Sequence, residues 1–226
     1  MEAAQPAQNT PEISKKDEIL NDLKKEYKQI LINYLDEREF KDEKIKLWVN
    51  NILYEAKNYF TRKYMDYDLF LFCLVSEKGV FFRQNAMYAG IQDTDKSSFV
   101  DFETDSLYVV LNFFFFKHYN LSYSIEENES EIIRFGQEIL NKYLEDKKFE
   151  TNKIMEYNSI INNEHANFIL KKENNLRCFI LNRIFKNPVK RYYYKYLVHG
   201  KEIYSKIFQG YSNDSLTCGH EVFFFK

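Results

Sequence analysis

The run Phe114-Phe115-Phe116-Lys117 returns later in the chain as Phe223-Phe224-Phe225-Lys226, which is a displacement of 109 positions. The same displacement relates two further pairs of segments: 105–107 (Asp-Ser-Leu) with 214–216, and 34–40 with 143–149. A single displacement that holds without a gap at both ends of a unit indicates an internal repeat, which must be recognised before a fold is assigned. The sequence therefore predicts two copies of one fold.

Each copy has the pattern of two helices followed by four strands. Apolar residues at helical spacing predict helices over 14–34 and 45–60 in the first copy, and over 132–143 and 154–169 in the second. Strand patterns follow at 69–76, 80–91, 97–103 and 107–116, and again at 176–185, 189–198, 203–209 and 216–225. We therefore expect an α+β protein made of two α-α-β-β-β-β units. Each unit should form an antiparallel four-stranded sheet with a helix pair on one face.

The expected domain organisation follows from the repeat. It comprises a flexible N-terminal tail (1–13), a first domain (14–117), a polar linker (118–128) and a second domain (129–226). Consecutive residues of a strand face opposite sides, so the Phe runs need apolar cover on both faces of their sheets. Helices supply one cover. The two domains are therefore expected to pack together as an intramolecular pseudo-dimer, with no further homodimerisation.

Composition excludes several classes of protein. The 226 residues carry a formal charge of −2, with a pI near 6.2, so the basic excess of a duplex-DNA binder is absent. Mean hydropathy is −0.54, and the longest apolar run is far too short for a membrane span. The three cysteines form no CxxC motif. The composition predicts a reduced, intracellular, soluble protein that binds neither nucleic acid nor membrane.

The stretch 40–116 resembles the Tctex-type dynein light chains. The resemblance is carried by the helix 44–52 (KIKLWVNNI), which includes Trp48, by the strand 69–75 (LFLFCLV), and by 105–110 (DSLYVV). It extends to the second copy through the repeat, although Tyr157 replaces the tryptophan there. Trp48 shares an apolar stripe with Ile45 and Ile52, so we expect it to be buried against the sheet.

The resemblance implies a non-enzymatic protein without cofactors. Tctex-type chains are dimers that exchange strands between protomers, and each groove takes an extended segment of a dynein intermediate chain as an added strand. A tandem chain then resembles a fused dimer. Its partners would be dynein intermediate chains and other dynein light chains. The peptide-binding residues expected from this resemblance border the second and third strands of each copy: Phe81, Arg83, Phe99, Asp101, Tyr192, Tyr194, Ile207 and Phe208.

The same resemblance, together with a composition typical of an AT-rich genome such as that of a ciliate, suggests a place in the cytoplasm and cytoskeleton, in a ciliary axonemal dynein complex. The alternative is a Tctex-fold scaffold of another ciliary or cytoskeletal assembly that binds a non-dynein peptide. An enzyme is the least favoured class, because the sequence contains no GxxxxGK[ST], GxGxxG, GxSxG or HExxH motif.

Two further patterns have competing interpretations. Tyr192, Tyr194 and Tyr196 share one face of a strand beside Lys190 and Arg191, which fits either a single-stranded nucleic-acid platform or an interface strand that covers the other copy. The negative net charge favours the interface strand. Cys178, Cys218 and His220 offer three metal ligands without a paired short-spaced motif, so a zinc site is not expected. His165 lies on an apolar helix stripe and is expected to be a partly buried packing residue.

Overall fold

The computed structural model describes residues 15–80, 82–89, 96–117, 128–172, 177–188, 191–200 and 203–225. The first repeat contains helices α1 (Lys15–Leu35) and α2 (Asp42–Lys63) and strands β1 (Tyr67–Glu77), β2 (Phe82–Ala89), β3 (Lys96–Glu103) and β4 (Leu107–Lys117). The second contains α3 (Glu129–Leu144), α4 (Thr151–Lys172), β5 (Cys178–Lys186), β6 (Tyr192–His199), β7 (Ile203–Ser212) and β8 (Leu216–Phe225). The protein is a mixed α+β fold with two antiparallel four-stranded sheets. The expected tail and most of the linker lie outside the described residues.

The structure reproduces the sequence displacement in its details. Helices α2 and α4 begin and end 109 residues apart. The turns between the helices place Glu37 and Asp146, which are also 109 apart, in the left-handed region with φ of 57° and 56°. Ser106 Oγ accepts from the Phe40 amide at 3.2 Å, and Ser215 Oγ accepts from the Phe149 amide at 2.8 Å. The two repeats therefore share local structure as well as element order.

One strand pair departs from this displacement. Phe72 is opposite Tyr196, whereas the corresponding Leu181 is opposite Ala86, so β6 corresponds to β2 with a shift of 110. The connection between β5 and β6 is one residue longer than that between β1 and β2, and the 109 displacement returns in β7. Structural equivalents in β2 and β6 are therefore 110 apart, and this corrects the ungapped alignment.

The two repeats exchange their second strands. The strand order is β3-β4-β1-β6 in one sheet (sheet A) and β2-β5-β8-β7 in the other (sheet B). The expectation that each sheet holds the four strands of one repeat is therefore wrong for one strand in each. All pairings, including β1 with β6 and β2 with β5, are antiparallel. The Tctex resemblance implies an exchange of strands between separate protomers, and the family assignment itself stays a prediction.

The aromatic strands are covered on both faces. Phe113 and Phe115 pack with α1 and α2, whereas Phe114 and Phe116 point to the opposite face of sheet A. On that side the two sheets contact each other through rings: Phe70 with Phe179 at 4.6 Å, Phe70 with Phe223 at 5.0 Å, and Phe116 with Phe225 at 5.6 Å between centroids. The layers therefore run helix pair, sheet, sheet, helix pair, and burial of apolar surface between the sheets joins the repeats.

Trp48 differs from its expected position. The fully buried stripe of α2 consists of Ile45, Val49, Ile52, Leu53, Ala56 and Phe60. Trp48 is only partly buried at the margin of this core. It precedes Val49 by one residue, which rotates its side chain about 100° away from that position on a helix. The apolar spacing located the stripe correctly but centred it one position too early.

Candidate functional site

The exchange of strands creates two seams where the edges of the sheets face each other. Strands β3 and β2 are edge strands of sheets A and B, and residues of both line one groove. We call this the open seam. Strands β6 and β7 are the opposite edges, and Lys206 Nζ lies 5.0 Å from the centre of the Tyr196 ring across them. We call this the closed seam. The two seams are formed by corresponding strands of the two repeats. The differences between them therefore arise from their side chains.

The open seam holds a groove of about 360 Å³. Its lining residues come from β2, β3, β4 and β5: Gln84, Asn85, Ala86, Ser97, Ser98, Phe99, Asn112, Phe113 and Phe179. Among these described residues none is charged. Asn112 is only 5% exposed, yet its Nδ2 has no hydrogen-bond partner within the described part of the chain, and the same holds for Gln84 Oε1. Such atoms carry a desolvation cost until a partner is supplied.

The closed seam is filled by the protein's own side chains. Glu221 is fully buried, and its carboxylate accepts from Arg183 Nη2 and lies 3.0 Å from Lys206 Nζ. The Arg183 guanidinium lies 4.0 Å from the centre of the Tyr194 ring. Because β6 belongs to sheet A and the three charged residues to sheet B, these cation–π contacts connect the two sheets.

Four substitutions between the repeats separate the seams. Gln84 and Ala86 on β2 correspond to Tyr194 and Tyr196 on β6. Ser97 on β3 and Asn112 on β4 correspond to Lys206 and Glu221. At each position the open seam has the smaller or neutral side chain, and the closed seam has the larger or charged one. The groove therefore exists where these side chains leave space.

The structure separates the eight residues expected to bind a partner. Phe99 lines the open groove and is 57% exposed, and Phe208 is its 59% exposed equivalent on β7. The Asp101 carboxylate lies 4.0 Å from Lys28 Nζ, and Tyr108 OH donates to it at 3.4 Å. Phe81 lies outside the described residues, and of Arg83 only the backbone, which pairs with Ile184, is described.

The remaining three belong to the second repeat and are engaged in packing. The Tyr192 ring stacks on Phe185 at 4.6 Å, and Tyr194 lies under Arg183. Ile207 is 3% exposed and packs on the helix side of sheet B, so its expected role facing a groove disagrees with the structure. Adjacent strand residues face opposite sides, so Ile207 and Phe208 do not share a groove. Strand β6 pairs with β1 of the first repeat, while the rings of Tyr192, Tyr194 and Tyr196 pack across to sheet B on residues of their own repeat, so the expectation that they cover the other copy is wrong.

Sequence reasoning missed the polar floor of the open groove. Asn112 interrupts an otherwise apolar strand, Leu107–Lys117, and Glu221 interrupts β8 at the equivalent position. A single polar residue inside a buried apolar strand is a signal, because burial of a polar group is costly without a partner. Gln84, Ala86 and Ser97 carry no comparable signal in the sequence.

A second polar cluster lies under the helices of the second repeat. His165 Nε2 donates to the Ile132 carbonyl at 3.2 Å, so Nδ1 accepts from His220 Nε2 at 2.7 Å. Burial lowers the pKa of His165 to about 4 and that of His220 well below its usual value. His165 is fully buried, more than expected.

Within the described residues, no group of three or more His, Cys, Asp or Glu side chains is placed to hold a metal ion. Cys218 Sγ instead donates to Asn182 Oδ1 at 2.9 Å. None of the described helices combines the length and apolar character needed to cross a membrane. No protein-family model matches the chain, and no curated protein matches it either.

Proposed function

We propose that this chain is a non-enzymatic light chain that holds an extended segment of a dynein intermediate chain in the open seam by strand addition. The observation that carries the proposal is the groove between β2 and β3, which lies at the two sheet edges that the exchange brings together. An edge strand can pair with an added peptide strand, and neighbouring side chains then select alternate peptide residues.

The proposal includes an intramolecular pseudo-dimer, in which each repeat supplies the partner strand that the other lacks. The reciprocal pairing of β6 with β1 and β2 with β5 supports it. Fusion of the two halves keeps their effective concentration high, on the order of mM for a suitable linker. The proposed setting is a ciliary axonemal dynein complex that contains other light chains.

The closed seam leads to a single binding site per chain. Arg183, Glu221 and Lys206 would have to leave their buried pairing before a peptide could enter between β6 and β7. Removal of one partner from a buried ion pair costs about 3–5 kcal/mol. The two seams are therefore not equivalent sites, and the chain takes one peptide through its first repeat.

The test uses tiled 20-residue synthetic peptides from the disordered regions of dynein intermediate chains, titrated against the full chain by fluorescence anisotropy. Phe99→Ser and Phe208→Ser form a matched pair, because the two side chains are equivalent and almost equally exposed. At least one peptide should bind, and Phe99→Ser should weaken it at least tenfold while Phe208→Ser changes it less than twofold.

Three other results of this titration would each lead to a different conclusion about the binding site. Equal effects of the two variants would contradict the assignment of the site to the open seam. Failure of every intermediate-chain peptide, combined with binding of other peptides that Phe99→Ser abolishes, would favour the alternative of a Tctex-fold scaffold in another assembly. If no extended peptide of any source bound, the peptide-binding proposal itself would be wrong.

A further inference from the structure

We infer that the open groove recognises a neutral carboxamide side chain, Gln or Asn, on the bound segment, and that this amide bridges sheets A and B. The inference rests on the proposed peptide binding and adds the chemistry of the anchoring residue. Its basis is the polar floor of the groove, where Asn112 contributes from sheet A and Gln84 from sheet B.

The floor of the groove contains two polar atoms whose hydrogen-bonding capacity is unused within the described ranges. Asn112 Nδ2 is a donor without a partner and Gln84 Oε1 is an acceptor without a partner, among the residues that the structure describes. Both atoms are shielded from solvent in the free chain, so the Asn112 and Gln84 side chains must turn toward an entering group before it can bond to them. A ligand group that satisfies both must offer an acceptor and a donor together. A carboxamide does so through its C=O and NH₂ groups.

The described lining of the groove is uncharged. It contains amides, hydroxyls, an alanine and aromatic rings. A buried carboxylate or ammonium group needs an opposite charge or several hydrogen bonds, and this lining supplies no opposite charge. An aliphatic side chain would leave both Asn112 Nδ2 and Gln84 Oε1 unpaired. Neutral polar side chains remain, and among them the carboxamide offers its acceptor and its donor on two separate atoms, whereas a hydroxyl offers both from one oxygen.

The closed seam shows how the protein's own side chains connect the two sheets at the equivalent position. There Glu221, the equivalent of Asn112, is paired with cations, and Arg183 lies over Tyr194 of the other sheet. Each seam thus places a polar residue at this position of its sheet. In the closed seam Glu221 Oε1 is paired with Arg183 Nη2 of the same chain, although Arg183 Nε and Nη1 have no hydrogen-bond partner among the described residues. In the open seam the partner of Asn112 would lie on the ligand.

The experiment selects 12-residue peptides from a random phage-displayed library on the full chain, and measures synthetic copies of the recovered peptides by anisotropy. Recovered peptides should share a Gln or Asn at one position, and replacement of this residue by Leu or Glu should weaken binding about tenfold or more. The variant Asn112→Val should bind the Gln and Leu peptides within twofold of each other. Phe208→Ser, with its change at the closed seam, should retain the tenfold preference.

The outcomes separate this inference from the proposed function. Peptides that lose binding with Phe99→Ser but carry no preferred amide would overturn the inference and leave peptide binding in place. An amide preference that persists in Asn112→Val and in Gln84→Leu, both shown to be folded by thermal unfolding, would also overturn it. Failure to recover any peptide that binds, or binding insensitive to Phe99→Ser, would overturn the proposed function.

Discussion

The core beneath the helices is apolar in the first repeat, whereas the otherwise apolar core of the second repeat contains several buried polar side chains. Val49, Leu53, Ala56, Cys73, Val100 and Leu111 are all buried in the first repeat. Their equivalents, 109 residues later, are also buried: Asn158, Asn162, His165, Asn182, Gln209 and His220. Two repeats of one fold therefore reach the same architecture with different interior chemistry.

The change from apolar to polar side chains is accompanied by compensating changes in side-chain volume. Tyr27 fills the first core, with its ring 5.0 Å from Phe113. Its equivalent is Gly136, and a Cβ there would overlap Gln209 Oε1 and His165. The larger side chains at 165 and 209 thus occupy the space that the tyrosine fills in the first repeat. Close packing of interiors requires such coupled changes.

The comparison shows that the repeats have diverged in opposite directions. The first repeat combines an apolar core beneath its helices with an open, polar groove at its seam. The second combines a core that holds buried amides and histidines, only partly paired by hydrogen bonds among the described residues, with a seam filled by ion pairs. A polar core depends on satisfied hydrogen bonds, such as that from Asn162 to the Asn85 carbonyl at 3.1 Å, so it is more sensitive to pH and substitution.

The largest expected effect separates the two seams. Glu221→Ala should lower the free energy of unfolding by about 3–5 kcal/mol, because it leaves Arg183 buried without its carboxylate. Asn112→Ala, the equivalent change in the open seam, should cost less than about 1.5 kcal/mol, because one atom of that amide is already unpaired. Urea unfolding followed by circular dichroism measures both. Equal costs would remove the distinction between the seams.

The second expected effect is a pH dependence of the free energy of unfolding that arises from the histidines in the core of the second repeat. The folded-state pKa values of His165 and His220 are lowered, so the unfolded state binds protons first as the pH falls. Their contribution is complete above about pH 6.5 and decreases as the pH falls below it, by about 1.4 kcal/mol for each pH unit and each histidine. For His165 the decrease ends near its folded-state pKa of about 4. Urea unfolding at several pH values measures this slope. Histidine-selective NMR should show both imidazoles neutral at pH 5, and titration of either near pH 6.5 would contradict the buried pair.

A smaller effect is expected at Trp48. Trp48→Ala should cost about 2 kcal/mol, below the 3–5 kcal/mol typical of a fully buried aromatic residue, because part of the ring faces solvent. Tyr157→Ala, at the equivalent and also partly buried position of α4, should cost a similar amount. If Trp48→Ala lowered the free energy of unfolding by more than about 4 kcal/mol, Trp48 would belong to the fully buried core instead.

The smallest effect concerns the two exposed phenylalanines. Phe99→Ser and Phe208→Ser should each change the free energy of unfolding by less than about 1 kcal/mol, because both rings are mostly exposed. Thermal unfolding of both variants checks this. A large loss for only one of them would mean that its effect on peptide binding reflects folding rather than contact.

The sequence predicts the element order and the two-sided cover of the Phe runs from the periodicity of apolar residues, and it predicts the repeat from segments that recur 109 positions apart. From the Tctex resemblance we expect a peptide groove beside the second and third strands of each copy; the described groove lies beside those of the first copy, and peptide binding stays a prediction. The sequence does not predict which sheet β2 joins, because the same apolar pattern pairs equally well within a repeat or across repeats. The coupling of Gly136 with His165 and Gln209 depends on contacts between distant segments, which no local pattern records.

The most direct test of the central claim is native mass spectrometry of the full chain with an excess of a bound peptide. Two exchanged repeats with one open and one closed seam predict a 27.4 kDa chain that carries one peptide. Phe99→Ser should remove that peptide, and Phe208→Ser should retain it. A chain that binds two peptides, or that binds peptide only as a dimer of twice that mass, would contradict the account.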